Sequence, residues 1–248
     1  NLQTSKNTCS TSPLRTSFGW TENDFFQQDV HEFFSLFFNN ILEKLQSPFK
    51  EEVQSLFTIK KLPTIVNEAY GFRKDMPTDQ EFVLSLPILS EVSVQKMINN
   101  TITSEIEYNI PEFGLQTCYI HESFISLPRI LFIQINRPIF NQENSQRVRV
   151  NTPVTYEERI QVKVNGEDIE YVLHGIINHL GQDANYGHYI AVLKPTTEDK
   201  WFSFNDSQVS HVYNNQYLDY NKECYILVYV QATSEEEDFR KIEDDEIP

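Results

Sequence analysis

The residues best suited to chemistry lie in the C-terminal third of the sequence, around His188. A strand is predicted at His188–Lys194, and a second follows at Lys200–Phe204 after a loop that contains a proline. If the two strands pair as a hairpin centred near residues 197 and 198, the residue opposite His188 falls at about 205 to 207, positions that hold Asn205, Asp206 and Ser207. An amide or carboxylate beside an imidazole fixes its tautomer and leaves the other ring nitrogen free to take a proton. This spacing fits the general base of a hydrolase.

The same spacing also has a purely structural interpretation. A single histidine at the start of a strand often does no more than complete a hydrogen bond, so the residues alone leave a His–Asn/Asp dyad and a structural histidine both open. Gly187 would allow a substrate backbone to approach closely. The polar loop from His179 to Tyr186 is long enough to move as a gate.

The elements that must position these residues change character along the chain. Between Asp24 and Leu45 the apolar residues recur at helical spacing, which predicts an amphipathic helix that ends before Ser47-Pro48. After Phe49 the pattern changes to short runs typical of strands, interrupted by the more helical segment "SEVSVQKMINN". Helices gathered near the N-terminus and strands thereafter predict an α+β fold with antiparallel sheets.

One turn in this β-rich region is predicted from its residue types. Asn165-Gly166 separates the runs "RIQVKV" and "IEYVLHGI", and this dipeptide strongly favours a two-residue type I′ hairpin.

Composition narrows the class of protein. The 248 residues carry a net charge of −16, which argues against nucleic acid and favours either a basic protein partner or simple solubility. No apolar run is long enough for a membrane span. Three scattered cysteines without a C-x-x-C pair predict neither a disulfide framework nor a zinc site and favour an intracellular location. No cofactor or metal is expected.

Four segments, taken in order, resemble the conserved boxes of the ubiquitin-specific proteases, a family of cysteine peptidases that remove ubiquitin from proteins. The segments are "QQDVHEFF", "LPRILFIQINR", "YGHYIAVLK" followed by "KWFSFNDSQVS", and "CYILVYV". Together they cover roughly 200 residues, so the match is specific.

The resemblance implies a papain-like fold of thumb, palm and fingers, with ubiquitin and ubiquitinated proteins as partners. It assigns residues 1–48 to the remainder of an incomplete thumb and 49–125 mainly to the fingers. Residues 126–230 would be mainly palm, and residues 231–248 an acidic tail or linker. The fingers would carry no zinc site.

The resemblance also implies roles for individual catalytic residues. His188 matches the general base, and Asn205 matches the third member of the triad, which orients the imidazole. Asp206 matches an adjacent acidic residue that could support His188 or polarise the site. Because Asn205 is neutral, it would orient the imidazole without a full charge to stabilise imidazolium.

Three further residues match positions that bind the C-terminal tail of ubiquitin. Asp29 matches a carboxylate that holds an arginine of the tail through charge-assisted hydrogen bonds. His179 and Tyr189 match positions that contact the tail around the cleft.

None of the three cysteines fits the nucleophile that the resemblance requires. Cys9 is followed by Pro13 and by no apolar helical run, and it lies only 29 − 9 = 20 residues before Asp29. Cys118 is predicted to lie within a sheet, and Cys224 within the last core strand. The nucleophile is therefore expected upstream of Asn1.

Three functions compete at this point. The preferred hypothesis is a thiol-dependent deubiquitinase in which this chain supplies the general base and the ubiquitin-binding surface. The second is a catalytically inactive module that binds ubiquitin or acts as a scaffold. The third is a different cysteine hydrolase that uses Cys9.

Overall fold

All helices longer than a 3-10 turn in the described part of the computed structural model lie within the first hundred residues, which agrees with the prediction of helices near the N-terminus. The structure describes residues 10–20, 29–88, 93–100, 103–141, 146–181, 187–195, 200–213 and 216–232. In these ranges the helices are α1 (Ser12–Ser17), α2 (Val30–Lys44), α3 (Phe49–Phe57) and α4 (Val94–Asn100). Short 3-10 turns add Glu68–Tyr70 and Gln216–Tyr220. No helix in the described part of the chain is long and apolar enough to cross a membrane.

The strands account for most of the rest of the described chain. They are β1 (Ile59–Asn67), β2 (Phe72–Asp75), β3 (Asp79–Glu81), β4 (Val83–Pro87), β5 (Thr103–Ile110), β6 (Gly114–Ser126), β7 (Ile130–Asn136), β8 (Pro138–Asn141), β9 (Gln146–Arg149), β10 (Arg159–Val164), β11 (Glu167–Leu180), β12 (His188–Leu193), β13 (Trp201–Asn205), β14 (Gln208–Val212) and β15 (Cys224–Gln231).

Within the described residues, thirteen of these strands form one branched sheet, and β8 and β9 form a separate hairpin. The main path runs β14-β13-β12-β11-β10-β6-β1-β2, and β15 joins β11 to β7. The expectation of purely antiparallel sheets is wrong at two places, because β4 pairs with β7 and β10 meets β6 in parallel. The fold is α+β with a mixed sheet.

The amphipathic helix and the Asn165-Gly166 hairpin are both present as predicted, and one further helix, α3, was not predicted. Helix α2 begins at Val30 and ends at Lys44, and residues 24–28 of the predicted span lie outside the described residues. Asn165 and Gly166 both have positive φ and form the two-residue turn between β10 and β11, as predicted. Helix α3 was not predicted, since its exposed charged residues and short length hid its helical period.

Helix α2 packs against the sheet through aromatic side chains. Phe38 is buried in a cluster with Val83, Phe132 and Ile226, which belong to β4, β7 and β15. The ring of Phe34 lies 4.7 Å from that of Phe132. Burial of this aromatic face fixes the helix over the three strands, because such side chains contribute several kcal/mol when they leave water.

The sheet continues beyond the main core into β1, β2, β5 and β6. Their own small core contains the buried residues Ile65, Ile110 and Cys118. It is separate from the large cluster that fills the centre of the molecule around β7, β11 and β15. The described chain therefore has a large core and a smaller one at the far end of the sheet.

The aromatic contact between α2 and the sheet predicts a difference between two neighbouring positions. Phe38→Ala should lower the free energy of unfolding by about 3–5 kcal/mol, because the buried ring leaves a cavity. Leu36→Ala, at a side chain that is 48% exposed, should change it by about 0.5 kcal/mol or less. Chemical denaturation measures both values, and equal losses would show that α2 does not pack as described.

Candidate active site

The register of the β12–β13 hairpin brings His188 and Asn205 together. Ala191 pairs with Phe204, and Leu193 with Phe202, so the hairpin is centred between residues 197 and 198, as predicted. His188 begins β12 and Asn205 ends β13. The Nε2 atom of His188 lies 2.6 Å from Oδ1 of Asn205. Since an amide oxygen only accepts hydrogen bonds, Nε2 carries the proton and Nδ1 is left with a lone pair.

Asp206 lies beside this pair at a greater distance. Its Oδ2 atom is 3.9 Å from Nε2 of His188, and its side chain is 81% exposed. Asp206 occupies the turn between β13 and β14 with φ at 51°, a left-handed conformation that Asp tolerates. The carboxylate therefore faces solvent, and Asn205 makes the close contact with the ring.

His179 lies in β11, and Tyr189 lies in β12 directly after His188. They face each other across β11 and β12, their rings stack at 4.6 Å, and Leu180 pairs with His188. His179 is buried, and this burial, together with the positive charge of Arg149, lowers the pKa of its imidazole. His179 is thus held neutral, and its ring packs against Tyr189 in the strand that begins with His188.

Gly187 is required by the position of His179. A Cβ atom on Gly187 would overlap both Nε2 of His179 and the carbonyl oxygen of Leu180. The glycine therefore lets two parts of the same chain approach closely, which is a different reason from the substrate contact predicted above. Most of the predicted gate loop, residues 182–186, lies outside the described residues.

Asp29 lies at the N-terminus of α2. Its Oδ1 atom accepts hydrogen bonds from the backbone N–H groups of His31 at 2.8 Å and Glu32 at 3.2 Å. Its Oδ2 atom accepts a hydrogen bond from the hydroxyl of Tyr225 at 2.6 Å. Burial, and then the negative charge of Asp29, raise the pKa of Tyr189 to about 12. The carboxylate predicted to bind a ligand thus also caps α2 and accepts a hydrogen bond from the hydroxyl of Tyr225.

Sequence reasoning missed Arg149, the last residue of β9. Its buried guanidinium donates to the backbone carbonyls of His179, Gly181 and Lys222, and Nη1 lies 3.3 Å from Nδ1 of His179. Burial lowers the pKa of Arg149. No signal in the sequence marked it, because the alternation in "QRVRV" groups Arg149 with Arg147 on the face opposite the two valines.

The two described cysteines are buried away from His188. Cys118 belongs to β6 and packs in the small core of Ile65 and Ile110. Cys224 begins β15, where burial raises the pKa of its thiol. Both observations agree with the predictions made for them, and Cys9 lies outside the described residues. Within the described residues, no group of three or more His, Cys, Asp or Glu side chains could hold a metal ion.

The close packing at Gly187 leads to a test. Gly187→Ala should lower the free energy of unfolding by about 1–3 kcal/mol and displace His179, because Cβ has no space. Gly71→Ala is the control, since its Cβ would meet no atom within 4 Å although its φ of 61° still carries backbone strain. NMR should show shifted imidazole signals of His179 and His188 in the first variant alone. Unchanged signals in Gly187→Ala would contradict the described contact.

Comparison with known proteins identifies the family. The model of the ubiquitin carboxyl-terminal hydrolase family matches residues 1–229. Ubiquitin carboxyl-terminal hydrolase 15 of Schizosaccharomyces pombe is 27% identical over 234 residues, which cover 89% of this chain and 21% of that protein. Ubiquitin carboxyl-terminal hydrolase 7 of Caenorhabditis briggsae is 25% identical over 281 residues, which cover 100% of this chain and 24% of that protein.

A solved structure agrees in fold. The SAGA Ubp8/Sgf11/Sus1/Sgf73 DUB module bound to ubiquitin aldehyde contains a chain that superposes with a TM-score of 0.72 at 24% identity. The superposition covers 84% of this chain and 50% of that one. The chain spans between about a fifth and a quarter of the length of the two curated relatives named above. Since the family model covers most of the sequence, the chain belongs to the ubiquitin carboxyl-terminal hydrolase family.

Proposed function

We propose that this chain is the part of a thiol-dependent deubiquitinase that supplies the general base and the surface for the ubiquitin tail. The observation that carries the proposal is the 2.6 Å contact between Nε2 of His188 and Oδ1 of Asn205. This contact leaves Nδ1 as the basic nitrogen, and the imidazole is 44% exposed, so a reacting thiol can reach it.

The reaction would proceed through a thioester. Nδ1 of His188 takes the proton of a cysteine thiol, and the thiolate attacks the carbonyl carbon of the bond after the terminal glycine of ubiquitin. The tetrahedral intermediate collapses as the imidazolium gives its proton to the leaving amine. A water molecule then gives a proton to His188 and attacks the thioester, and the thiol leaves with that proton.

The nucleophile would come from a segment outside these 248 residues. The buried thiols of Cys118 and Cys224 do not meet the requirement for an accessible thiolate beside His188. Residues 10–15, which follow Cys9, carry neither the aromatic residue nor the apolar helical run expected after such a nucleophile. The native protein that contains this chain is therefore the material for every assay.

Asn205 would orient the base, while Asp206 would contribute a weaker electrostatic effect. Asn205 stabilises one tautomer through a direct hydrogen bond. Asp206 offers a full negative charge, but its exposure to water screens its attraction for the imidazolium that forms in the reaction. Asn205 would thus supply the orientation, and Asp206 the negative charge, that a single aspartate supplies in many hydrolases.

Asp29, His179 and Tyr189 would form the binding surface for the ubiquitin tail. The carboxylate of Asp29 supplies a negative charge for a tail arginine, and the stacked rings of His179 and Tyr189 lie next to it. In this proposal α2 belongs to the thumb, the sheet end of β1, β2, β5 and β6 to the fingers, and the strands around β11 to the palm. Ubiquitin and ubiquitinated proteins would be the partners.

We also propose a more specific relationship within the family. The segments "TSFGWTENDFFQQDVHEFF" and "YVLHGIINH", the latter followed by "GHYIAVLKP", are similar to parts of the herpesvirus-associated ubiquitin-specific protease. The match to hydrolase 7 of Caenorhabditis briggsae over the whole of this chain supports this placement.

The role of His188 can be tested on the native protein with a fluorogenic ubiquitin C-terminal substrate. His188→Ala should lower kcat/KM by about 10²–10⁴-fold, because the general base is lost. His121→Ala, at an exposed position of β6, is the control and should retain activity. Full activity of His188→Ala would disprove the assignment. A ubiquitin-based electrophilic probe that binds the wild type without forming an adduct would favour the inactive binding module instead.

The division of work between the two acceptors gives a second test. Asn205→Ala should lower kcat/KM by about 10–100-fold, because it removes a hydrogen bond to a group that becomes charged. Asp206→Ala should lower it by less than about fivefold, since exposed ion pairs contribute little. The same fluorogenic assay measures both variants. The reverse order of effects would assign the third member of the triad to Asp206.

A further inference from the structure

A chain of hydrogen bonds runs through the sheet and ends on the carboxylate of Asp29. The hydroxyl of Ser85 in β4 lies 3.1 Å from Oε1 of Gln134 in β7. Nε2 of Gln134 donates to the hydroxyl oxygen of Tyr225 in β15 at 2.7 Å. The hydroxyl of Tyr225 donates to Oδ2 of Asp29 at 2.6 Å. This series of hydrogen bonds therefore connects three neighbouring strands to the start of α2.

The direction of this chain is set by the amide of Gln134. Because the NH₂ group of an amide can only donate, the oxygen of Tyr225 must accept there, and its own proton is directed to Asp29. Gln134 and Tyr225 are both buried, and water does not compete for these bonds. Burial, and then the hydrogen bond to Asp29, raise the pKa of Tyr225, so it stays a donor at neutral pH.

The carboxylate of Asp29 is thus held from two sides. On one side the first N–H groups of α2, those of His31 and Glu32, bind Oδ1. On the other side the buried hydroxyl of Tyr225 binds Oδ2. The negative charge of Asp29 also raises the pKa of Tyr189, which is only half-buried. Of the two tyrosines, Tyr225 is the buried one, and its hydroxyl holds the carboxylate in place.

We propose that Tyr225 is a positioning residue that, supported by Gln134, aims the Asp29 carboxylate at a guanidinium group of the substrate. The inference rests on the proposed function, since it concerns the substrate-binding role of Asp29. Tyr225 touches no reacting atom and acts only through Asp29. Its loss therefore weakens substrate binding and leaves the chemical step at His188 intact.

The structure offers a matched control on the same strand. Tyr229 is also buried, and its hydroxyl donates to the backbone carbonyl of Glu157 at 2.7 Å, in the large core. Tyr225→Phe and Tyr229→Phe each remove one buried hydroxyl and keep the aromatic ring. Both should lower the thermal stability of the native protein to a similar extent, so stability does not distinguish them.

Steady-state kinetics with the fluorogenic ubiquitin substrate separate the two variants. Tyr225→Phe should raise KM about tenfold, with kcat within twofold of wild type, because a hydrogen bond to a charged group is lost. Tyr229→Phe should leave both constants within twofold. Gln134→Met, which removes the amide that donates to Tyr225, should raise KM less than Tyr225→Phe does. The same KM in Tyr225→Phe and Tyr229→Phe, or a loss confined to kcat, would overturn the proposal.

Hydrogen exchange provides a readout that does not depend on activity. In Tyr225→Phe the amides of His31 and Glu32 should exchange faster, because their acceptor is less firmly held, while Tyr229→Phe should leave them unchanged. Exchange at these amides that is the same in both variants would overturn the positioning role. If the wild-type protein is inactive but Tyr225→Phe still exchanges faster than wild type at these amides, the proposed function is refuted and the positioning of Asp29 is supported.

Discussion

The pairing of β11 with three neighbouring strands is the constraint on which the site depends. Its 14 residues pair with β10 near the start, and with β15 and β12 further along. This register sets His179 opposite Tyr189 and Leu180 opposite His188. Because side chains alternate between the two faces, a slip of one residue would turn His179 away from Tyr189 and replace it with Asn178. The geometry around His188 is therefore a property of the whole sheet.

Two charged side chains flank this register, of which Arg149 is buried and Asp29 partly buried. Arg149 lies against His179 on one side, and the negative charge of Asp29 also acts on His179. The guanidinium is stabilised by backbone carbonyls, and the carboxylate by the N–H groups of α2 and by Tyr225. In each case fixed dipoles replace water around the charge. These contacts offset the cost of removing the charge from water and fix the orientation of the side chain. Arg149 also ties the β8–β9 hairpin to the segment that leads to His188.

Local patterns predicted the parts of this arrangement that depend on neighbouring residues. Helical spacing predicted α2, Asn165-Gly166 predicted its turn, and counting across a hairpin predicted the contact of His188 with Asn205. The parallel pairing of β4 with β7 and the hydrogen bonds of Arg149 join residues far apart in sequence, which no local pattern encodes. Gln134 within the apolar run "LFIQIN" was the one local sign of a buried polar network.

The small core around Ile65, Ile110 and Cys118 has a consequence for how the molecule loses structure. Few buried side chains hold this end of the sheet, whereas the large cluster holds β7, β11 and β15. Cooperative units with less buried apolar surface open at lower free energy. Ile59 of β1 and Phe124 of β6 belong to the large core, so these two strands are anchored at one end. We expect β2, β5 and the parts of β1 and β6 around Ile65 and Cys118 to open at lower free energy than β11, β12 and β13. Such an opening at the far end of the sheet would leave the contact between His188 and Asn205 unchanged.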